Sequence, residues 1–494
     1  MPTGHRGFVR GLEAALTACA LVVVVWFYHW TVASSGGFLK PGEEDYYNFL
    51  VRGWRSGHLY MSKEPRPEMH ALADPYDPAQ NHAVRMGDAS YFRGRYYLYF
   101  GAAPAAVLML PYGLLTGREL ATTSAIFAYC TVGFLALSGL WLAIRRRYFP
   151  GSAFWISPLV VLMLGLCTHV LVLQRRPLVW ELPISSGFAF SMLALVALYR
   201  ALHGNRPVLG LGAAGLSYGL AIASRPTCLF GALMFLPVLW QLRRTLGFSR
   251  QWWRGVIAAA GALTLCGLAV LAHNYARFGD PLEFGINYQL TSNYESKERH
   301  FSLTYLAHNA YIYYLHPGAW TTQFPFVQSS SVPGGPPGYL GAWVEGICGL
   351  AVTLPFLWSV LALPLAVRGR EAREKKMGTA FIAAVGVFFA AVTLFYFSFY
   401  CATPRYMAEF TPALTLLAGC GALGLARWAR STPWRMPTAI FIGLSALVSL
   451  GAGLCVNFDY HGRSLRSLQP ATWAKLEAFF SSTAAPTGSS SAQP

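Results

Sequence analysis

Long apolar runs recur along most of this chain, and they limit its fold more than any other feature. A run of about 20 apolar residues is long enough to cross the hydrocarbon core of a bilayer as one helix. Hydrophobic residues make up 54% of the 494 residues and charged residues only 12%, which excludes an ordinary soluble domain. The sequence therefore predicts an all-α polytopic membrane protein with about eleven transmembrane helices. The predicted spans are Leu12–Val32, Ala121–Ile144, Phe154–Leu173, Pro183–Tyr199, Val208–Ala223, Leu229–Leu242, Val256–His273, Ile347–Val367, Met377–Phe397, Tyr406–Ala426 and Thr438–Val456.

The basic residues predict the orientation of these spans. If the N-terminus lies inside, the inner loops contain the basic clusters 145–147 and 368–376, and nearly the whole net charge of +17 lies on the inner side. The positive-inside rule and attraction to anionic lipid head groups account for this charge without a nucleic-acid partner. We therefore predict a protein of the plasma (inner) membrane with a cytoplasmic N-terminus.

Three segments leave alternatives open. Tyr97–Leu115 is apolar, but its prolines, glycines and tyrosines suit an interfacial helix better than a span. Val208–Ala223 and Leu229–Leu242 are short and split by Arg225, so they form either two spans or one broken span. The first run could end in a signal-peptide cleavage site near Val32, although its length favours an uncleaved anchor.

The predicted organisation is one transmembrane domain, residues 1–480, with large outer loops at 34–120 and 274–345. Residues 481–494 contain only Ser, Ala, Pro, Gly, Thr and Gln, without charge, and we expect a disordered tail.

A cluster of carboxylates lies just beyond the first apolar run. Glu43, Glu44 and Asp45 are followed by Tyr46-Tyr47-Asn48 in a chain with 21 acids against 38 Lys and Arg. A carboxylate at the lipid–water boundary can accept a proton from a hydroxyl group or bind a divalent cation. A solvated loop acid would not explain the aromatic neighbours. We predict Asp45 as a catalytic base supported by Glu44, with Tyr46, Tyr47 and Asn48 lining the substrate.

Three further charges lie at predicted membrane boundaries. Glu181 begins the fourth predicted span, where it could instead be a helix N-terminal acid stabilised by the dipole. Arg225 and Arg405 each lie beside a proline between or before apolar runs. A lone arginine there can simply snorkel to water, but ionisable groups at membrane depth commonly mark functional sites.

No metal or cofactor motif is present. The sequence lacks HExxH and CxxC, and His300, His308 and His316 have no pattern of paired carboxylates. We predict no cofactor; the carboxylates allow a divalent metal, but no motif indicates one.

The arrangement resembles the GT-C superfamily of membrane glycosyltransferases, especially the protein O-mannosyltransferases and the lipid A aminoarabinose transferases. Stretch 44–48 is similar to the acidic motif of their first outer loop, and Arg95–Gly117 to its interfacial helix. Glu181 matches the family's second acid, and the segment from Arg405 resembles its Arg-Tyr…Pro pattern. The lysine of aminoarabinose transferases is not evident, and Arg93 or Arg95 would take its place at the lipid phosphate.

This resemblance implies a hexosyl or pentosyl transferase. It would move a sugar from a polyprenyl phosphate to a glycan, lipid or protein acceptor at the outer face, with inversion of the anomeric centre. Asp45 and Glu44 would act on the acceptor hydroxyl, while Arg225 and Arg405 would stabilise the leaving phosphate. The alternative is a transporter or flippase of a lipid-linked or polar solute.

Overall fold

The computed structural model describes residues 3–34, 38–341, 344–458 and 465–483, and most of these are helical. The helices are α1 (Thr3–Ser34), α2 (Tyr46–Arg55), α3 (Pro67–His70), α4 (Pro78–Asn81), α5 (Leu110–Thr116), α6 (Thr122–Tyr148), α7 (Ile156–Leu166), α8 (Val170–Arg175), α9 (Glu181–His203), α10 (Pro207–Ser224), α11 (Phe235–Leu246), α12 (Arg250–Phe278), α13 (Leu306–Ala310), α14 (Leu350–Thr353), α15 (Leu363–Val367), α16 (Ala372–Phe397), α17 (Pro404–Ala429), α18 (Arg435–Phe458), α19 (Leu465–Leu468) and α20 (Pro470–Thr483).

Shorter elements complete the description. The π-helical and 3-10 segments are Ala105–Met109, Pro226–Met234, Ile286–Tyr288, Glu295–Lys297, Leu303–Tyr305, Tyr311–Leu315 and Pro355–Ala362. Two antiparallel two-stranded sheets are formed by β1 (Ala89–Phe92) with β2 (Arg95–Leu98) and by β3 (Ala319–Trp320) with β4 (Val327–Gln328).

Nine helical segments in the described part of the chain are long and apolar enough to cross a membrane. They confirm nine of the predicted spans, and the chain is a multi-pass, all-α membrane protein. The alternative for the region around Arg225 is also settled, since Pro207–Ser224 and Pro226–Leu246 are separate segments of 18 and 21 residues. Arg225 is extended, with φ −147° and ψ 113°, as expected for a residue that precedes a proline.

Two predicted spans are not continuous helices. In Phe154–Leu173, helix α7 ends at Leu166, and His169 has a left-handed backbone with φ 58° before α8 begins. In Ile347–Val367, helix α14 stops before Leu354, which precedes Pro355 and cannot easily remain helical. Apolar composition alone does not reveal these breaks.

The predicted interfacial helix begins later than expected. Residues 95–98 form β2, and only Ala105–Thr116 is helical, a length of about 18 Å that is too short to span. The hairpin turn explains the error: Arg93 and Gly94 both have positive φ, 49° and 75°, as a two-residue type I′ turn requires.

The segment predicted as a disordered tail, residues 481–494, overlaps the end of a helix by three residues. Residues 481–483 are the end of α20, and residues 484–494 lie outside the described residues.

The predicted inner and outer loops gather at opposite ends of the bundle. At one end Arg145 pairs with Glu13 at 2.6 Å and Arg147 with Glu374 at 2.7 Å. At the other end the two large loops meet, where the Ser90 hydroxyl donates to the Gly285 carbonyl at 2.9 Å. The alternation of loops is therefore as predicted, and the side that each end faces stays a prediction.

The centre of the bundle is formed by α9 and α17, whose most apolar windows are 89% and 94% buried. Glycines allow close approach of the helices around them: a Cβ at Gly421 would meet the Ser359 carbonyl, and one at Gly215 the backbone of Ala259. Small residues are the usual means of helix packing in lipid. Both α9 and α17 begin at the end where the large loops meet, so this end can hold a site fixed by buried helices.

Candidate active site

Arg225 and Arg405 come together, although they are distant in sequence. Both guanidinium groups lie over the ring of Tyr406, at 5.4 Å and 5.6 Å from its centroid. Tyr406 stacks on Tyr396 with a centroid distance of 4.8 Å, and Arg225 donates to the Tyr396 hydroxyl at 3.1 Å. The two predicted phosphate ligands therefore share one aromatic platform.

Each arginine is already balanced by carboxylates. The Arg225 Nε atom lies 2.6 Å from Glu409 Oε1. Arg405 donates to Glu345 at 2.7 Å, and the same oxygen of Glu345 accepts from Arg176 at 2.8 Å. Mutual neutralisation keeps these buried charges stable without substrate.

Glu181 lies within this cluster, as predicted, but it is completely buried. Its Oε2 atom accepts from the Leu178 backbone N–H at 3.2 Å, and its Oε1 atom is 3.9 Å from Arg405. The adjacent Trp180 ring lies under both Arg176 and Arg405, at 4.9 Å and 5.3 Å. Glu181 therefore lies close to Arg405 and away from solvent, and its catalytic role stays a prediction.

Asp45 is the N-cap of α2 and also holds the start of α6. Its carboxylate accepts four hydrogen bonds: from the Asn48 backbone N–H at 3.1 Å and side-chain amide at 2.9 Å, and from the Thr122 N–H at 3.2 Å and hydroxyl at 2.8 Å. Four donors fill the usual acceptor capacity of a carboxylate. The structure thus shows a joint between two helix N-termini, and the role of Asp45 as a base stays a prediction.

Tyr47 connects this joint to Arg225. Its buried hydroxyl donates to the Gly101 carbonyl at 3.2 Å. Gly101 lies directly against the Ser224 carbonyl, where a Cβ atom would not fit. Burial raises the pKa of Tyr47, and the nearby positive charge of Arg225 opposes that rise. Tyr47 and Gly101 therefore link the helix that Asp45 caps to the turn that contains Arg225.

The neighbours of Asp45 have structural contacts. Tyr46 donates to the Gly87 carbonyl at 2.6 Å, and Asn48 is buried between Asp45 and the Leu120 carbonyl. Glu44 is exposed, with its carboxylate 4.0 Å from Lys63. These contacts do not place Glu44 beside Asp45 as a second carboxylate on a substrate.

Arg93 and Arg95 contact other groups than the Arg225 cluster, and their role at the lipid phosphate stays a prediction. Arg95 pairs with Glu64 at 2.5 Å and lies over Tyr60, while Arg93 is exposed beside Phe92. The hairpin turn that interrupts the expected helix also gives these side chains different neighbours.

Asp88 is a site residue that the sequence did not indicate. It directly precedes β1, where the two large loops meet, and its N–H donates to the Leu290 carbonyl at 2.7 Å. Its backbone has a positive φ of 59°. Its carboxylate accepts from the Gln289 side-chain amide at 3.4 Å. Burial raises the pKa of Asp88 to about 6, and the charge of Arg405 limits the rise.

Tyr99 is a further ionisable group of the first large loop. Burial raises its pKa, the acidic groups of Glu295 and Asp88 add to that rise, and Arg225 opposes it.

Within the described residues, no group of three or more His, Cys, Asp or Glu side chains could hold a metal ion. The charges of the site are arranged as arginine–carboxylate pairs.

No protein-family model matches this chain, and no curated protein matches its sequence. Two solved structures of ArnT from Cupriavidus metallidurans are similar in structure. The form bound to undecaprenyl phosphate has 15% identity and a TM-score of 0.43, and the apo form 14% and 0.45. Each alignment covers 97% of this chain and 81% of the other.

Proposed function

We propose that this protein is a glycosyltransferase that moves a sugar from a polyprenyl-phosphate carrier to an acceptor hydroxyl at the outer face of the membrane. The observation that carries the proposal is the meeting of Arg225 and Arg405 over Tyr406, at the bundle end where the two large loops join. Two guanidinium groups beside carboxylates suit a reaction in which a phosphate leaves and a hydroxyl loses a proton.

The arginines would stabilise the departing lipid phosphate. Arginine presents a planar set of donors that matches phosphate geometry. Glu409 and Glu345 hold the guanidinium groups in place before substrate binds. A phosphate entering here would share these donors, and its negative charge would be best compensated as the bond to the sugar breaks.

Direct displacement of the lipid phosphate by the acceptor oxygen would invert the anomeric centre. The acceptor attacks the face opposite to the leaving group, so a base must lie across the sugar from the arginines. The partly exposed rings of Tyr406 and Trp180 offer surfaces on which a sugar ring can stack.

The transporter alternative predicts ionisable groups near the bilayer midplane. In α9, the sequence has no Asp, Glu, Lys or Arg between Glu181 and Arg200, and in α17 none between Glu409 and Arg427. The charged cluster lies at one end of both helices. This distribution favours chemistry at an interface over passage through the bundle.

The proposal is tested with purified protein in liposomes and a panel of synthetic polyprenyl-phosphate sugars. We expect release of polyprenyl phosphate and transfer of the labelled sugar to an acceptor. Arg225→Ala should abolish both products, whereas Arg146→Gln, at an exposed residue of the opposite end, should not change them. A folded wild-type protein that binds no donor and releases no polyprenyl phosphate would contradict the proposal.

A further inference from the structure

We propose that Asp88 is the general base for the acceptor hydroxyl, in place of Asp45. This inference rests on the proposed glycosyl transfer and names the residue that performs one of its steps. It follows from comparing which carboxylates of the site still have acceptor capacity and are not paired with Arg225 or Arg405.

Asp45 has little capacity to accept another proton. Two donors from α2 and two from Thr122 at the start of α6 fill its acceptor positions. Moving a proton onto this carboxylate would break at least one of these bonds and release a helix N-terminus.

Asp88 has fewer donors and a fixed backbone. Its N–H donates to the Leu290 carbonyl at 2.7 Å, and one carboxylate oxygen accepts from the Gln289 side-chain amide at 3.4 Å. Trp180, whose side chain favours the charged form of Asp88, lies under Arg405 at 5.3 Å. The proposed base and one of the proposed phosphate ligands therefore share a neighbouring ring.

The buried carboxylates of the site are less suited to take a proton from an acceptor. Glu181 is completely buried, with Oε2 bound to the Leu178 N–H and Oε1 3.9 Å from Arg405. Glu295 accepts from His300 at 3.0 Å, from Thr291 at 3.0 Å and from Tyr400 at 3.3 Å. Glu345 holds Arg176 and Arg405, and Glu409 holds Arg225. Loss of the charge of Glu345 or Glu409 would leave a buried arginine without compensation.

The chemical step balances with these groups alone. A lone pair of the acceptor oxygen forms a bond to the anomeric carbon while the hydroxyl proton passes to Asp88. The bond from that carbon to the phosphate oxygen breaks, and its electron pair stays on the phosphate next to Arg225 and Arg405. The products are the glycosylated acceptor, polyprenyl phosphate and protonated Asp88, which returns its proton to water.

The electrostatic setting suits a base that works near neutral pH. Burial raises the pKa of Asp88 to about 6; Arg405 and Arg85 lower it, Glu295 raises it, and the Trp180 indole favours the charged form. A base with this pKa is ionised at pH 7 and binds a proton more readily than an ordinary aspartate with a pKa of about 3.9.

The test compares Asp88→Asn with Asp45→Asn in the full-length protein, using a synthetic donor that the wild type turns over. Asparagine tolerates a positive φ, so Asp88→Asn keeps the backbone. We expect kcat to fall by roughly 10²–10⁴ in Asp88→Asn, with unchanged donor binding and thermal unfolding. Asp45→Asn should mainly lower the unfolding temperature, with the folded fraction keeping its turnover.

The pH profile separates a base from a structural residue. Wild-type kcat/KM should fall about tenfold per pH unit below about pH 6, because protonated Asp88 is inactive. The residual rate of Asp88→Asn should lack this limb. Wild-type turnover in Asp88→Asn, or an unchanged acid limb, would overturn the assignment. Absence of transfer by the wild type from every donor would instead overturn the proposed function, and the role of Asp88 with it.

An independent observation concerns the opposite end of the bundle. An open groove of about 530 Å³ lies between α11 and α12, lined by Leu236, Pro237, Leu239, Trp240, Arg243, Trp252 and Val256. Arg243 lies over Trp240 and Phe248, at 5.0 Å and 4.4 Å, and Arg244 lies over Trp240 at 5.1 Å. Arg243 therefore lines the apolar groove, and Arg244 lies over Trp240, which also lines it.

These arginines have no acidic partner in the described part of the chain, and the sequence has no Asp or Glu between Glu181 and Asp280. We infer that the groove binds one anionic glycerophospholipid, with its phosphate on Arg243 and Arg244 and an acyl chain along the apolar lining. Basic pockets between transmembrane helices recognise such head groups.

Native mass spectrometry with added phosphatidylglycerol or phosphatidylcholine of identical chains tests this site. Each arginine should strengthen binding of the anionic lipid by about fivefold. The wild type should therefore bind phosphatidylglycerol on the order of thirtyfold more tightly than phosphatidylcholine. The double variant Arg243→Gln/Arg244→Gln should lose the preference, and Arg146→Gln should keep it. Equal binding of both lipids, or an unchanged preference in the double variant, would overturn the site.

Discussion

Arg225 and Glu409 form an ion pair with 2.6 Å between Nε and Oε1, joining the turn after α10 to the second turn of α17. The two side chains are only 13% and 3% exposed. At this burial, each charge depends on the other for compensation. The pair also fixes Arg225 over Tyr406, so stability and the geometry of the proposed phosphate site depend on one contact.

Removal of Glu409 should therefore destabilise the fold. We expect Glu409→Ala to lower the free energy of unfolding by about 3–5 kcal/mol, because it leaves Arg225 buried without its carboxylate. Denaturant titration in detergent measures this change. Glu371→Ala is the matched control, since Glu371 is exposed in a basic loop at the opposite end. Equal stability of the two variants would show that the pair contributes little.

Arg405 and Arg95 should differ sharply in their effect on catalysis. Arg405→Ala should reduce kcat by about 10²–10³, as expected for loss of one group that stabilises developing charge. Arg95→Ala should change kcat less than about twofold, because Arg95 pairs with Glu64 on the surface of the hairpin. Steady-state transfer assays compare the two, and a large effect of Arg95→Ala would support it as a phosphate ligand.

Thr122→Val tests the structural role of Asp45 without changing the carboxylate. The variant removes the hydroxyl that donates to Asp45 at 2.8 Å and keeps the shape of the side chain. We expect a loss of about 1 kcal/mol in stability and little change in kcat. An unaltered unfolding free energy would mean that this link between α2 and α6 is not stabilising.

The orientation of the two ends can be measured by cysteine labelling. Cys19 is the one exposed native cysteine among the described residues, so Cys19→Ser provides the background. In that background Ser62→Cys should react with a membrane-impermeant reagent in intact cells, and Ala372→Cys should react only after permeabilisation. Outside labelling of both positions would refute the predicted topology.

The importance of Arg225 and Arg405 could be predicted from the sequence. Each arginine lies beside a proline at the edge of an apolar run, and this local signal marks a boundary charge. The nine continuous spans were predictable for the same reason, because their length and apolarity are local properties. The helix breaks at His169 and Leu354 depend on backbone conformation, so they could not be predicted from apolarity.

The carboxylates of the site could not be found in this way. Glu345 and Asp88 lie in the two large loops, and only the tertiary fold brings them to Arg405 and Trp180. Glu409 lies one turn after Arg405 on α17 and would be expected to pair with it, yet it pairs with Arg225 instead. Asp45 was predictable as an important residue, but its hydrogen bonds to a second helix were not.

The most direct test of the phosphate site is transfer from a synthetic polyprenyl-phosphate sugar by the double variant Arg225→Lys/Arg405→Lys. Lysine keeps both charges but cannot reproduce the guanidinium fork. If the arginines hold the leaving phosphate, turnover should fall by at least about 10², while the variant remains folded. Full activity of the double variant would leave both residues with a structural role and would contradict the proposed lipid-phosphate donor.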